Sequence, residues 1–251
     1  MKNFSIILSV IAVILASFSL LNGCKISGVK GNSIVQLSGG QVSEEELATM
    51  LKKNPKMIVD ALEAYQLQLQ EEAEREQQEA VAKYADEING TENAPTFGPA
   101  DAKVTVVEFF DFSCIYCKKL APTMEKIMAD NPDVKFVFKP LTFLTPLSPY
   151  QAKAGFAAHK QNKFIDFYKK VMDSKEVMDK KAVDKVAEDL GLDMEKYKAD
   201  VDSTEIADDL GEIAVLSQKI HIRGVPSVFI NGKPVQSYNA EDFQAEINSV
   251  K

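Results

Sequence analysis

A β-branched and aromatic stretch from Val104 to Phe112 runs almost directly into two cysteines that are separated by two residues, Cys114 and Cys117. Such a stretch is typical of a central strand that is buried on both faces of a sheet. Apolar residues then recur at helical spacing from Leu120 to Met128, and a second apolar stretch follows at Val134 to Phe138. The order predicts a strand–helix–strand unit with the cysteine pair where its helix begins.

The rest of the chain adds helices and then a hairpin. Helical periodicity covers residues 148–218, and a short strand pattern follows at residues 227–230. An Asn-Gly pair separates it from the stretch at residues 233–237, and this pair between apolar runs is the strongest short signal for a β-hairpin. The order predicts an α/β domain at residues 91–251 with a helical insertion at about residues 146–203.

Two segments of this domain carry a resemblance to a known family. The segments Val107–Cys117 and Arg223–Gly232 resemble, in that order and spacing, the DsbA-like bacterial envelope thiol–disulfide oxidoreductases of the thioredoxin superfamily. The resemblance extends from about Pro95 to Lys251. It implies a thioredoxin fold with a helical insertion, and disulfide exchange as the activity. The helical N-terminal arm that precedes this domain resembles the extension on a subgroup of the family that forms dimers or trimers.

The cysteine pair has the residue types that disulfide exchange needs. At a helix start, free backbone N–H groups and the helix dipole favour a thiolate on Cys114, so Cys114 is the predicted nucleophile and Cys117 the resolving thiol. The alternatives are an inert disulfide or half of a zinc site. Zinc needs two more ligands, and Cys24, His159 and His221 show no paired ligand spacing. We therefore expect neither a metal nor a cofactor.

Four further residues are assigned to the site through the resemblance. Glu108 corresponds to an acid beneath the cysteines that helps to move the proton of the second one, although a surface position for this carboxylate stays open. A buried carboxylate without a basic partner has a raised pKa, which suits proton transfer. The Val225–Pro226 bond corresponds to a cis-proline loop that faces the cysteines, where Val225, Pro226 and Tyr116 would bind an extended substrate segment.

The N-terminus has the pattern of an export signal. A positive residue, Lys2, precedes an apolar run from Phe4 to Leu21, which is typical of a secretory signal peptide. The run ends at Leu21-Asn22-Gly23-Cys24, which resembles a bacterial lipobox. We expect a lipoprotein-type signal peptide at residues 1–23, lipidation of Cys24 and a flexible tether at residues 24–41. Cleavage elsewhere and retention as a membrane anchor stay open.

Residues 42–90 predict a helical arm. Ser43 and Glu46 form a capping-box pattern, and apolar residues follow at helical spacing as far as Leu69, with Pro55 as a break or a restart. The favoured interpretation is an oligomerisation arm that buries its apolar stripe against another copy of the chain. A helix that lies on the main domain, or a solvated stalk, is the alternative.

Charge and location complete the prediction. The chain has 251 residues and a formal net charge of −8, which argues against nucleic acid as a main partner, since phosphate binding needs clustered Lys and Arg. We predict an oxidase in the cell envelope, periplasmic or surface-facing and lipid-anchored to a membrane. Its partners would be proteins with thiols or disulfides, a membrane or soluble redox partner, and further copies of itself. An oligomeric isomerase or reductase, and a surface lipoprotein with a structural disulfide, stay open.

Overall fold

The computed structural model describes residues 43–92 and 94–251. The predicted signal peptide at residues 1–23, the tether at residues 24–41 and Cys24 lie outside the described residues. The chain divides into two compact units, and the division falls between Asp60 and Ala61. Within the described ranges, no helix combines the length and the apolar character that are needed to cross a membrane.

Three helices form the N-terminal part of the described chain, and their bounds are α1 Glu44–Lys53, α2 Pro55–Lys83 and α3 Ala85–Asn89. The predicted capping box is confirmed, because the Glu46 N–H donates to Ser43 Oγ and the Glu46 carboxylate accepts from the Ser43 N–H. Pro55 begins the second helix, since a proline at the first helical position removes no intrahelical hydrogen bond.

A five-stranded sheet organises the second unit. Its strands are β1 Thr96–Phe97, β2 Thr105–Phe110, β3 Lys135–Pro140, β4 Ser227–Ile230 and β5 Lys233–Pro234. The spatial order is β1-β3-β2-β4-β5, with β2 parallel to β3 and antiparallel to β4. Strand β2 is buried along its whole length, as its composition predicts. Asn231 and Gly232 both have positive φ and close the predicted hairpin, although β5 is shorter than the predicted stretch.

Seven further helices of the described chain accompany this sheet, namely α4 Ile115–Asp130, α5 Ser148–Lys160, α6 Phe164–Met172, α7 Lys180–Asp189, α8 Met194–Val201, α9 Thr204–Lys219 and α10 Ala240–Val250. Helix α4 joins the parallel strands β2 and β3, and helices α5 to α8 form a block that follows β3. The element order confirms the expected α/β thioredoxin-like fold with its helical insertion.

The two faces of β2 contribute to separate parts of the core. Val106 and Phe110 belong to the cluster that contains both cysteines of the pair, whereas Val107 and Phe109 belong to the cluster on the opposite face. Side chains alternate between the faces of a strand. Glu108 therefore lies on the same face as the cysteine pair.

The end of the N-terminal helical region packs with the domain. Val81 and Ile88 are buried in the same cluster as Val107, and the Lys139 ammonium donates to the Gly90 carbonyl over 3.1 Å. The compact unit thus includes residues that precede position 91, where the sequence pattern suggested that the domain begins.

Candidate active site

The connection from β2 to α4 places Cys114 as the N-cap of α4. The backbone N–H of Cys117 donates to Cys114 Sγ over 3.3 Å. The backbone N–H of Cys114 itself donates to the Asp111 carbonyl over 2.9 Å, which holds the turn closed. A sulfur that accepts a backbone N–H at a helix N-terminus lies in a field that stabilises negative charge.

The Val225–Pro226 loop contacts this sulfur. The peptide bond is cis, as the resemblance implies, and Cys114 Sγ donates to the Val225 carbonyl over 3.4 Å. Both cysteines are free thiols in the structure. Cys114 retains 5 % exposure and Cys117 none, so a substrate sulfur approaching from solvent can reach only Cys114.

Cys117 lies deeper, in a setting that disfavours its ionised form. Burial raises the pKa of the Cys117 thiol, and the nearby negative charge of Glu108 raises it further. The thiol therefore stays protonated unless a neighbouring group accepts its proton. When a disulfide to Cys117 breaks, the sulfur that leaves likewise needs a proton donor.

Glu108 is such a neighbouring group. Its side chain is fully buried, which excludes the surface position that the sequence left open. Carboxylate oxygen Oε2 accepts a hydrogen bond from the Tyr168 hydroxyl over 2.9 Å, whereas Oε1 has no hydrogen-bond partner among the described residues. Burial raises the pKa of this carboxyl to about 8, although the hydrogen bond from Tyr168 acts in the opposite direction. At neutral pH the carboxyl is therefore mostly protonated.

A groove of about 410 Å³ opens beside the cysteines, and it is lined by Tyr116, Lys119, Leu120, Thr123, Val225, Pro226 and Tyr238. The fold thus brings together the three residues that were predicted to bind substrate. Tyr238 was missed, because it follows β5 and no motif marks it. Its hydroxyl donates to the Pro226 carbonyl over 2.9 Å and so supports the proline loop.

The helical insertion supports the turn before Cys114. Asp111 Oδ1 accepts from the Ser113 N–H over 2.8 Å and from the Ser148 hydroxyl over 2.9 Å. The Ser113 hydroxyl in turn donates to Gln151 Oε1 over 2.8 Å. Ser148 and Gln151, like Tyr168, come from the insertion, and no local pattern identifies them as neighbours of the cysteines.

The two histidines that were considered as metal ligands contact other parts of the domain, and Cys24 lies outside the described residues. Within residues 43–92 and 94–251, no three His, Cys, Asp or Glu side chains are grouped so that they could hold a metal ion. The ring of His159 lies against that of Phe164, and the His221 carbonyl accepts a hydrogen bond from the Gln77 amide.

Comparisons with known sequences match the domain that carries this site. The family model described as Thioredoxin matches residues 89–249. The probable disulfide bond formation protein D of Bacillus cereus is 31 % identical over 153 residues, which cover 55 % of this chain and 69 % of that protein. The Na⁺/H⁺ antiporter NhaA 3 of Salinispora tropica is 28 % identical over 155 residues, which cover 61 % of this chain. The match spans 24 % of the antiporter, so the chain corresponds to about a quarter of that relative.

A solved structure extends the likeness beyond the domain. A linker-deletion mutant of ScsC from Proteus mirabilis has a TM-score of 0.65 with this chain and covers 84 % of it, and the match covers 98 % of that protein. At 23 % sequence identity the likeness concerns the fold alone.

Proposed function

This chain belongs to the thioredoxin family, in its DsbA-like branch, and we propose that it is a thiol–disulfide oxidoreductase that introduces disulfides into exported proteins. The observation that carries the proposal is the position of Cys114. Its sulfur accepts the Cys117 N–H and contacts the carbonyl of Val225, a residue that also lines the groove. The similarity to a probable disulfide bond formation protein supports the same activity.

The proposed reaction starts from the oxidised enzyme. A substrate thiolate attacks Cys114 Sγ, the Cys114–Cys117 bond breaks, and Cys117 leaves with the bonding electron pair and takes a proton from Glu108. A second substrate thiolate then attacks the substrate sulfur of the mixed disulfide and releases Cys114 as a thiolate. The substrate has lost two electrons and the enzyme has gained them. A membrane or soluble redox partner must reoxidise the pair before the next cycle.

The geometry favours this direction of exchange. Glu108 is mostly protonated at neutral pH, so it can supply the proton that the departing Cys117 sulfur requires. When Cys114 leaves from the mixed disulfide, its sulfur lies at the helix N-terminus and accepts the Cys117 N–H. In the groove, the Val225 backbone would pair with an extended substrate segment beside Pro226 and the Tyr116 ring.

Refolding of ribonuclease separates an oxidase from an isomerase. We expect the oxidised chain to form disulfides in reduced ribonuclease and to leave scrambled ribonuclease largely inactive. The reduction potential of the Cys114–Cys117 couple, measured against glutathione, should lie on the oxidising side of that buffer. Efficient recovery of scrambled ribonuclease would instead support an oligomeric isomerase.

The arm supports a proposal about assembly. Helices α1 and α2 expose many large apolar side chains, namely Met50, Met57, Ile58, Val59, Leu62, Tyr65, Leu67 and Leu69. Exposed apolar surface of this extent is unfavourable in a monomer. We propose that further copies of this chain cover it, which makes the protein a homo-oligomer. Two or more active sites that face one another would also suit an isomerase.

Charged substitutions test the arm. Leu62→Glu combined with Leu69→Glu is expected to reduce the oligomer to monomers, because burial of two carboxylates in an apolar interface is costly. Gln68→Glu combined with Gln78→Glu is the matched control, because it adds the same charge on the opposite side of the same helix. Sedimentation velocity gives the mass of each variant in solution.

A chain shortened to begin at Glu71 retains the buried Val81 and Ile88 and should also be monomeric. A monomeric full-length protein would contradict the proposal.

The location is also a proposal. We place the enzyme in the cell envelope, periplasmic or surface-facing, and anchored by a lipid on Cys24. In this division of the chain, residues 1–23 are a cleaved leader and residues 24–41 a tether. Residues 42–90 form the arm, and residues 91–251 form the catalytic domain. The apolar run before Cys24 supports the leader and the lipid site. Intact-mass measurement of the membrane-extracted protein tests it, and an unmodified Cys24 inside the mature chain would rule the lipid out.

A further inference from the structure

Tyr168 is a buried tyrosine whose ring is fixed by aromatic neighbours. It lies in α6 of the helical insertion and is fully buried. Its ring centroid lies 5.4 Å from that of Phe110 and 5.1 Å from that of Phe138. Because these neighbours come from the central strands β2 and β3, the ring is held in a defined position beneath the cysteine pair.

The Tyr168 hydroxyl makes the two oxygens of the Glu108 carboxyl different. Oε2 accepts the hydroxyl hydrogen over 2.9 Å. Oε1 is buried and has no hydrogen-bond partner among the described residues. A buried carboxyl oxygen without a partner is costly, and this one belongs to the carboxyl whose charge acts on the Cys117 thiol.

We propose that Tyr168 is a positioning residue for disulfide exchange, which holds Glu108 through Oε2 and so keeps Oε1 available to exchange a proton with Cys117. This inference rests on the proposed function and assigns a role within its site. Tyr168 contacts neither substrate nor the reacting sulfurs in the proposed reaction, and it acts through Glu108.

The groups that face Glu108 leave Tyr168 as its main polar partner. Helix α4 contributes Cys117, helix α6 contributes Tyr168, and the segment after β5 contributes Tyr238, whose hydroxyl is bonded to Pro226. The residues paired with Glu108 on the neighbouring strands are Phe138 and Val228, which do not titrate. None of these facing groups is a cation, so the hydroxyl hydrogen bond is what stabilises the carboxylate form.

The assigned step is a balanced proton transfer. As substrate attacks Cys114, the Cys114–Cys117 bond breaks and its electron pair goes to the Cys117 sulfur. The proton on Glu108 moves to that sulfur, which leaves a carboxylate at Glu108 and a thiol at Cys117. The hydroxyl of Tyr168 remains protonated and donates to the new carboxylate.

Tyr168→Phe tests the inference, because it removes the hydroxyl and keeps the ring. We expect the pH above which attack on the oxidised enzyme slows to rise by about one to two units, since a hydrogen bond to a charged group is lost. The rate should be measured with a thiol of low pKa that stays ionised throughout. Tyr197→Phe is the matched control, because this buried hydroxyl is bonded to Asp184. Its profile should match that of the unsubstituted enzyme.

A double-variant cycle shows whether Tyr168 acts through Glu108. In the Glu108→Gln background, Tyr168→Phe should no longer move the pH profile. An unchanged profile in Tyr168→Phe alone, or an equal shift with and without Glu108, would overturn the inference.

Infrared titration of the Glu108 carboxyl gives a readout that needs no activity. The titration midpoint should rise in Tyr168→Phe, even if the chain proves to have no exchange activity and the proposed function fails. If Tyr168→Phe does not fold, the infrared carboxyl band of the unsubstituted protein shows whether the Glu108 carboxyl is hydrogen-bonded. A band at the frequency of a carboxyl group without any hydrogen bond would overturn the inference.

Discussion

Cys114→Ser is expected to reduce thiol–disulfide exchange to the uncatalysed rate, whereas Cys117→Ser is expected to trap substrate on the enzyme. Cys114 is the thiol that retains some exposure, and it lies at the helix N-terminus, so its loss removes the attacking and leaving sulfur. Without Cys117, Cys114 can still attack a peptide disulfide and form a mixed disulfide, but the enzyme has no second thiol at the site to resolve it. Non-reducing electrophoresis and intact mass should then show a covalent adduct with a disulfide-containing peptide.

Cys24→Ser is the matched control for this pair. It makes the same substitution at a cysteine that lies outside the catalytic domain, and the purified variant should exchange disulfides at the rate of the unsubstituted protein. Turnover by Cys114→Ser at the rate of the unsubstituted protein, or the absence of an adduct in Cys117→Ser, would contradict the assignment. An unsubstituted protein without exchange activity would instead fit a surface lipoprotein with a structural disulfide.

Glu108 is expected to make the reduced protein less stable as the pH rises. Burial raises the pKa of this carboxyl in the folded protein from an ordinary value of 4.5 to about 8. Below pH 4.5 the carboxyl is protonated in both the folded and the unfolded protein, so it does not make the free energy of unfolding depend on pH. Between pH 4.5 and 8 the unfolded chain loses the proton while the folded protein keeps it, so the free energy of unfolding falls. The accumulated loss reaches about 4–5 kcal/mol above pH 8.

Glu108→Gln should abolish this pH dependence. Denaturant unfolding at about pH 5 and about pH 8.5, under a non-thiol reductant, gives the free energies for both proteins. The test compares how much the free energy of unfolding changes between the two pH values in each protein. The substitution itself shifts that free energy by the same amount at both pH values, because the amide does not titrate. Glu188→Gln replaces an exposed carboxylate and should reproduce the unsubstituted pH dependence. An equal fall in stability in Glu108→Gln would show that Glu108 is not its cause.

Local patterns predicted the elements that carry the cysteine pair. The apolar composition of β2 indicated a central strand, and the pair directly after it indicated a helix start at Cys114. The Asn-Gly turn and the Ser43 capping box were also readable, because each is specified by residues within a few positions of one another. Period-two alternation then places Glu108 on one face of β2, but the strand alone does not say which face meets the cysteines.

Contacts between distant segments could not be read in this way. Tyr168 is 60 residues from Glu108 in the chain, and Tyr238 is 12 residues from Pro226. Neither lies in a motif, and an isolated tyrosine is compatible with many positions in a core. The exposure of the apolar stripe on the arm was equally undecided, since the same periodicity suits a helix that packs on its own domain.

The sequence by itself determined which atoms exchange electrons, because a CxxC pair at the junction of a strand and a helix depends only on local residue order. The tertiary structure decided how a proton reaches that pair and where a substrate lies. It buries Glu108 beside Cys117, joins it to Tyr168 from the insertion, and brings the Val225–Pro226 loop against Cys114. These relations depend on sheet register and on how the helical insertion packs over the sheet, and both arise from contacts between segments that are remote in the chain.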